Sequence, residues 1–174
     1  MKELRNKYKD VIFVGTVPAI KVAYDHNYKN IINLSTPYTS NSKRVIELIN
    51  DYEKEDSIIH NISGEDLASL IELDKQDEIK ELLHKLLDDY KDSCDALILG
   101  CTHYSLIKPI FKELLPNTVL LDGTKGVAKE VKRQLEIHNL LSNNTSKGSI
   151  TIINSKSDDL VDRSYEIIKN TNNC

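Results

Sequence analysis

The 174-residue chain contains no tryptophan and only two phenylalanines, so aliphatic side chains must build its core. It has no apolar run longer than a strand. "VIFVG" and "ALILG" are of that size, and nothing approaches the roughly 20 residues that cross a bilayer. The opening "MKELRNKYKD" lacks the apolar stretch of a signal peptide. Three cysteines (Cys94, Cys101, Cys174) are an odd number at wide spacing, which argues against a disulfide framework. With no export signal, a reduced, cytoplasmic setting is expected. An excess of basic charge is also missing. The net charge is -4 with acids and bases interspersed, so no nucleic-acid surface is advertised.

What remains is an ordinary globular composition, 40% hydrophobic and 29% charged, long enough for one domain or two small ones. Short β-rich runs alternate with helical patterns. Strands are expected over 10–16, 30–36, 57–63, 95–100, 117–123 and 149–155. Between them, Pro18 suits the first turn of a short helix over 18–26. Val45, Leu48, Ile49 and Tyr52 recur at helical spacing, as do Ile79, Leu82, Leu83, Leu86 and Leu87. Ser63 is a candidate N-cap for a helix over 63–74, and further helices are expected over 104–115, 126–141 and 157–170. This alternation predicts βαβ units, hence a parallel sheet covered on both faces, a Rossmann-like α/β lobe. The polar linker "LLSNNTSKGS" separates the last strand-helix pair from the rest.

Ligands of open α/β sheets bind outside the carboxyl ends of the strands. Three strand-to-helix loops meet there: Gly15-Thr16, "STPYTS" and "GCTHYS". The last is the most chemically loaded. A thiol at the start of a helix feels the positive end of the macrodipole, which favours the thiolate. His103, two residues after Cys101, is placed to take or return its proton. A cysteine after a buried strand also serves as a small core residue, and spacing alone leaves both readings open. Metal binding is the weaker alternative, because Cys101 and His103 are two ligands where structural zinc needs four. Cys94 and Cys174 read as incidental, and His26, His60, His84 and His138 as scattered surface or loop residues.

"LGCTHYSLI" resembles the second-cysteine motif of the glutamate racemases, in the aspartate/glutamate racemase superfamily, although that family usually has proline where this chain has Ser105. "VGTVPAIKVA", "NLSTPYTSNSKRV", "DLASLIE", "LLDGTKGVAKEV" and "ITIINSKSDDL" resemble further family segments, so the likeness runs along essentially the whole chain. The resemblance implies cofactor-independent conversion of L-glutamate to D-glutamate for peptidoglycan, and hence for the cell wall and cell shape. It assigns catalysis to Cys101 and His103 with Glu72 supporting the histidine, and substrate binding to Thr39, Thr102 and His103. It implies no metal and no cofactor, consistent with the lack of a glycine-rich phosphate loop or a pyridoxal-type lysine context.

Such racemases use two thiols, because one face of the α-carbon loses a proton and the other gains one. Family members are longer at the N-terminus, where a Cys-Asn-Thr motif bears the first cysteine. "MKELRNKYKD" resembles the helix just downstream of it, so this chain is expected to hold one half of the site. Cys94 is a poor substitute, roughly 20 Å from Cys101 along an extended strand. By resemblance, 25–122 is the complete second lobe, and 1–24 and 123–174 are remnants of the first. The remnant is expected to expose sheet edges and apolar faces, giving poor solubility or a partner, with the missing N-terminal fragment and another copy of the chain as the candidate partners. A chain that binds a small acidic amino acid without turning it over, or a decayed gene product, are the competing readings. The motif context favours glutamate over aspartate.

Overall fold

The computed structural model describes residues 2–146, 148–155 and 158–171. They form two compact units, Met1–Leu140 and Leu141–Cys174. In the first unit the order is α1 (Lys2–Lys7), α2 (Ile20–Asp25), β1 (Asn30–Ser35), α3 (Pro37–Ser40), α4 (Lys43–Tyr52), β2 (Ile58–Ser63), α5 (Leu67–Glu72) and α6 (Gln76–Leu87). Then follow β3 (Ala96–Leu99), a 3₁₀ segment (Thr102–Ile107), α7 (Lys108–Leu114), β4 (Val119–Leu121) and α8 (Thr124–Ile137). The second unit contains α9 (Asp158–Thr171).

The four strands make one all-parallel sheet in the order β2-β1-β3-β4. The central strands β1 and β3 are buried along nearly their full length, whereas β2 at an edge alternates. That is the pattern of a parallel sheet with both faces covered. Residues one apart point to opposite faces. Ile31, Ile59 and Ile98 pack with Ile20 and Ala23 of α2 and Val45 and Leu48 of α4. Ile32, Leu34, Leu97 and Leu99 pack against α5, α6, the 3₁₀ segment and α7, around the fully buried Tyr104 and Phe111. Each such buried aliphatic side chain contributes roughly 1.5–3 kcal/mol. The core is mostly isoleucine and leucine, as the shortage of aromatics requires.

Local chemistry sets the element ends. Ser42 caps α4 by accepting the Val45 N–H, and Asp95 Oδ2 accepts the N–H groups of Lys29 and Asn30, pinning the start of β1 to that of β3. Ser63 is the last residue of β2 and not a helix cap. α5 instead starts after Asp66, which adopts a left-handed conformation at φ 61°. The helix expected from 104 begins as 3₁₀ at Thr102 and becomes α only at Lys108.

Two expected strands do not form. Residues 10–16 and 149–155 are not assigned as strand, because a strand exists only with a hydrogen-bonding neighbour. Val11 and Ile12 are exposed in the first. In the second, the Tyr165 hydroxyl takes the place of a neighbouring strand, accepting the Ile152 N–H and donating to the Ile150 carbonyl. The expected start of the last helix at Ser157 lies outside the described residues, and so does Cys174. Among the described residues, no helix is long and apolar enough to cross a membrane.

Candidate active site

From β1 the chain runs to β2 on one side, and its next strand, β3, lies on the other. The carboxyl ends of β1 and β3 therefore flank the switch point, where open α/β sheets bind ligands. Gly100 follows β3, and its N–H donates to the Leu34 carbonyl at 2.8 Å. A Cβ on Gly100 would fall 2.6 Å from Ser35 Cβ, so only glycine lets the turn that carries Cys101 lie against the end of β1.

Cys101 is half-buried and precedes the 3₁₀ segment in extended conformation. Its Sγ is 3.7 Å from His103 Nδ1, and His103 Nε2 is 3.0 Å from Oε1 of Glu72, the last residue of α5. A carboxylate can only accept, so Nε2 carries the proton that Glu72 holds. Nδ1 is then left with a lone pair facing the thiol. This geometry lets the imidazole accept a proton from Cys101 with the Glu72 carboxylate beside it. Because the α-helix starts only at Lys108, the thiol's partner here is an imidazole and not a helix terminus.

Thr39 comes from α3. Thr36 caps that helix by accepting the Thr39 N–H, Pro37 holds its first turn, and the Thr36 hydroxyl donates to that of Thr39 at 3.1 Å. Thr39, Cys101 and Thr102 line one cavity of about 510 Å³, together with Thr16, Ser105 and Asp122. The structure thus brings all five expected site residues to one end of the sheet. His103 and Glu72 are not among the lining residues, and His103 reaches the cavity through the Cys101 sulfur.

Asp122, just after β4, was not legible as a site residue. Its Oδ2 accepts from Ser105 Oγ at 2.9 Å and pairs with Lys108 Nζ at 2.5 Å, while Oδ1 accepts the Thr124 N–H at 3.0 Å. Burial works to raise its pKa. The bonds from Lys108, Ser105 and the Thr124 N–H outweigh it and hold the carboxyl down to about 2. A lone aspartate after a strand is the only sequence signal for it. Cys94 is a different kind of cysteine. It is buried in the core, donates to the Ala96 carbonyl at 3.3 Å, and burial pushes its thiol pKa up. Three of the four remaining histidines have partners elsewhere: His26 stacks on Tyr28, His60 tilts against Tyr90 and His84 meets Asp88.

Solved structures share this fold. Escherichia coli glutamate racemase, in complex with L-glutamate and the activator UDP-MurNAc-ala, superposes with a TM-score of 0.68 at 28% identity, over 78% of this chain and 53% of that one. Francisella tularensis glutamate racemase, in complex with D-glutamate, gives 0.64 at 21% identity over 86% of this chain and 60% of that one. The fold is that of the aspartate/glutamate racemases, and with its cysteine-centred site the chain falls among amino-acid racemases, a class of isomerases. No family model matches it. Curated relatives are more specific: the glutamate racemase of Clostridium botulinum strain Alaska E43 is 34% identical over 97% of this chain and 67% of its own length. That of Clostridium acetobutylicum is 33% identical over 95% and 66%. The chain belongs to the glutamate racemase family and spans about two thirds of those relatives.

Proposed function

We propose that this chain carries one face of a glutamate racemase site. The Cys101 thiolate removes the α-proton of glutamate, His103 exchanges the thiol proton, and Glu72 fixes the imidazole. The Thr39 and Thr102 hydroxyls, with Thr16 in the same lining, hold the substrate's polar groups in the cavity. The carrying observation is the Sγ–Nδ1–Nε2–Oε1 chain ending at a cavity lined by hydroxyls.

Residues 25–122 are read as one complete lobe, with 1–24 and 123–174 as parts of the other. Support comes from the sheet, whose strands all lie between Asn30 and Leu121. The opposing thiol is assigned to the third of the family's length that the chain does not span. D-glutamate supply for peptidoglycan and a cytoplasmic setting follow from this reading.

With one thiol, deprotonation and reprotonation occur on the same face. The C–H electron pair passes to the α-carbon and its carboxyl, the proton passes to Cys101, and a solvent-exchanged proton returns. The chain alone therefore exchanges the α-hydrogen of one glutamate enantiomer in heavy water without inverting it, and Cys101→Ala abolishes the exchange. No exchange of either enantiomer, with binding retained, would leave a protein that holds an acidic amino acid without chemistry.

A further inference from the structure

Ser105, where the cysteine motif that this sequence resembles usually has proline, makes a side-chain hydrogen bond in the structure. Proline would fix φ near −65° and offer no donor. Serine leaves the backbone freer, and its unfolded state has more conformations to lose. Its hydroxyl, however, makes a bond that proline cannot, to Asp122 Oδ2.

Asp122 gathers three donors from two segments. Ser105 and Lys108 belong to the stretch that follows Cys101, and Thr124 opens α8. The Asp122 side chain is only 10% exposed, so water cannot readily replace these partners. The same stretch is held on its other side by Tyr104, whose buried hydroxyl donates to the Gly64 carbonyl at 3.1 Å. A Cβ on Gly64 would meet that hydroxyl at 2.6 Å, so the anchor tolerates little movement. His103 immediately precedes both anchors in the chain and must aim one nitrogen at Cys101 and the other at Glu72. Tyr104 ties the segment to Gly64 at one point, and Ser105 and Lys108 tie it to Asp122 at a second.

We propose that Ser105 and Asp122 are positioning residues of the thiol site: the Ser105–Asp122–Lys108 clamp supplies the restraint that proline gives the family motif and keeps His103 aligned between Cys101 and Glu72. The inference rests on the racemase reading, since that alignment matters only for proton transfer at Cys101. It adds an electrostatic link between the thiol segment and the loop before α8, both of which line the cavity.

The test uses the full chain labelled with ¹⁵N-histidine, with the His103 signals identified by their loss in His103→Asn. The wild type shows one ring-nitrogen pattern, with Nε2 protonated and hydrogen-bonded. Asp122→Asn and Ser105→Ala shift that pattern toward a solvent-averaged imidazole, and Ser105→Pro restores it. Cys94 remains protected from alkylation in each variant, showing that the core is intact. Should Asp122→Asn expose Cys94, the Ser105→Ala and Ser105→Pro pair decides by itself. A His103 pattern unmoved by Ser105→Ala, or Ser105→Pro behaving like Ser105→Ala, overturns the proposal. α-Proton exchange measured in parallel falls on the order of tenfold in Ser105→Ala and recovers in Ser105→Pro. Absence of exchange in the wild type counts against the racemase reading, while the His103 pattern still decides the clamp.

Discussion

Cys101 and Cys94 flank the same strand and meet opposite surroundings: one borders a cavity beside an imidazole, the other is sealed in the core with its pKa raised by burial. In a Cys174→Ser background, iodoacetamide should therefore label Cys101 faster than Cys94 by on the order of a hundredfold or more. Comparable rates, read by peptide mass spectrometry, would mean that the strand end opens freely. Glu72→Gln keeps a hydrogen-bond acceptor for Nε2 but removes the charge that stabilises the imidazolium. α-Proton exchange should drop on the order of tenfold, with a shifted pH profile and little change in glutamate affinity. An unchanged profile would show that the half-exposed pair does not assist the thiol. Cys101 and His103 could be singled out from the sequence because they sit two apart at the end of an apolar run. Glu72 required the family likeness, since nothing local ties it to His103. Asp122 was hidden because its role comes from partners in two other segments, which spacing does not reveal.

At the scale of elements, the site depends on how closely strand ends and loops approach one another. Gly100→Ala places a methyl group into Ser35 and the Leu34 carbonyl, and should destabilise the lobe by roughly 1–3 kcal/mol in urea unfolding. Gly126→Ala, in α8 with no atom near the new methyl, should stabilise it by up to about 1 kcal/mol. Equal effects would remove the close-approach argument. Asp122 adds a pH dependence with a definite sign. Its carboxyl lies at about 2 against an ordinary 3.8, so its contribution is complete above pH 3.8 and is lost as pH falls through about 2. The contribution is on the order of 2 kcal/mol, and the stability gap between wild type and Asp122→Asn should close across that interval. A gap independent of pH would assign the effect to packing. The four paired strands were legible because each is a β-rich apolar run bounded by turn residues. Residues 10–16 and 149–155 carry the same signal and stay unpaired, since pairing depends on a neighbour and not on the run itself. Strand order, which creates the switch point, is likewise a property of the assembled sheet.

At the scale of the molecule, the proposed reading gives this chain one thiol of a two-thiol site. Val11, Val17, Val131 and Ile137 are exposed in the unit formed by Met1–Leu140, and no described strand pairs with residues 10–16. On the proposed reading, the part of the family's length that the chain does not span covers this surface and sets a second cysteine across from Cys101. The decisive measurement is chiral analysis of glutamate incubated in heavy water with the chain alone, and with the chain plus the N-terminal segment of a related racemase. The chain alone should incorporate deuterium without inversion. With the segment present, both enantiomers should appear from either starting material, together with improved solubility. Cys101→Ala should abolish the racemisation and leave the solubility gain intact. Racemisation by the chain alone, or a stable complex that inverts nothing while Cys101 and His103 remain in place, would contradict the proposed reading.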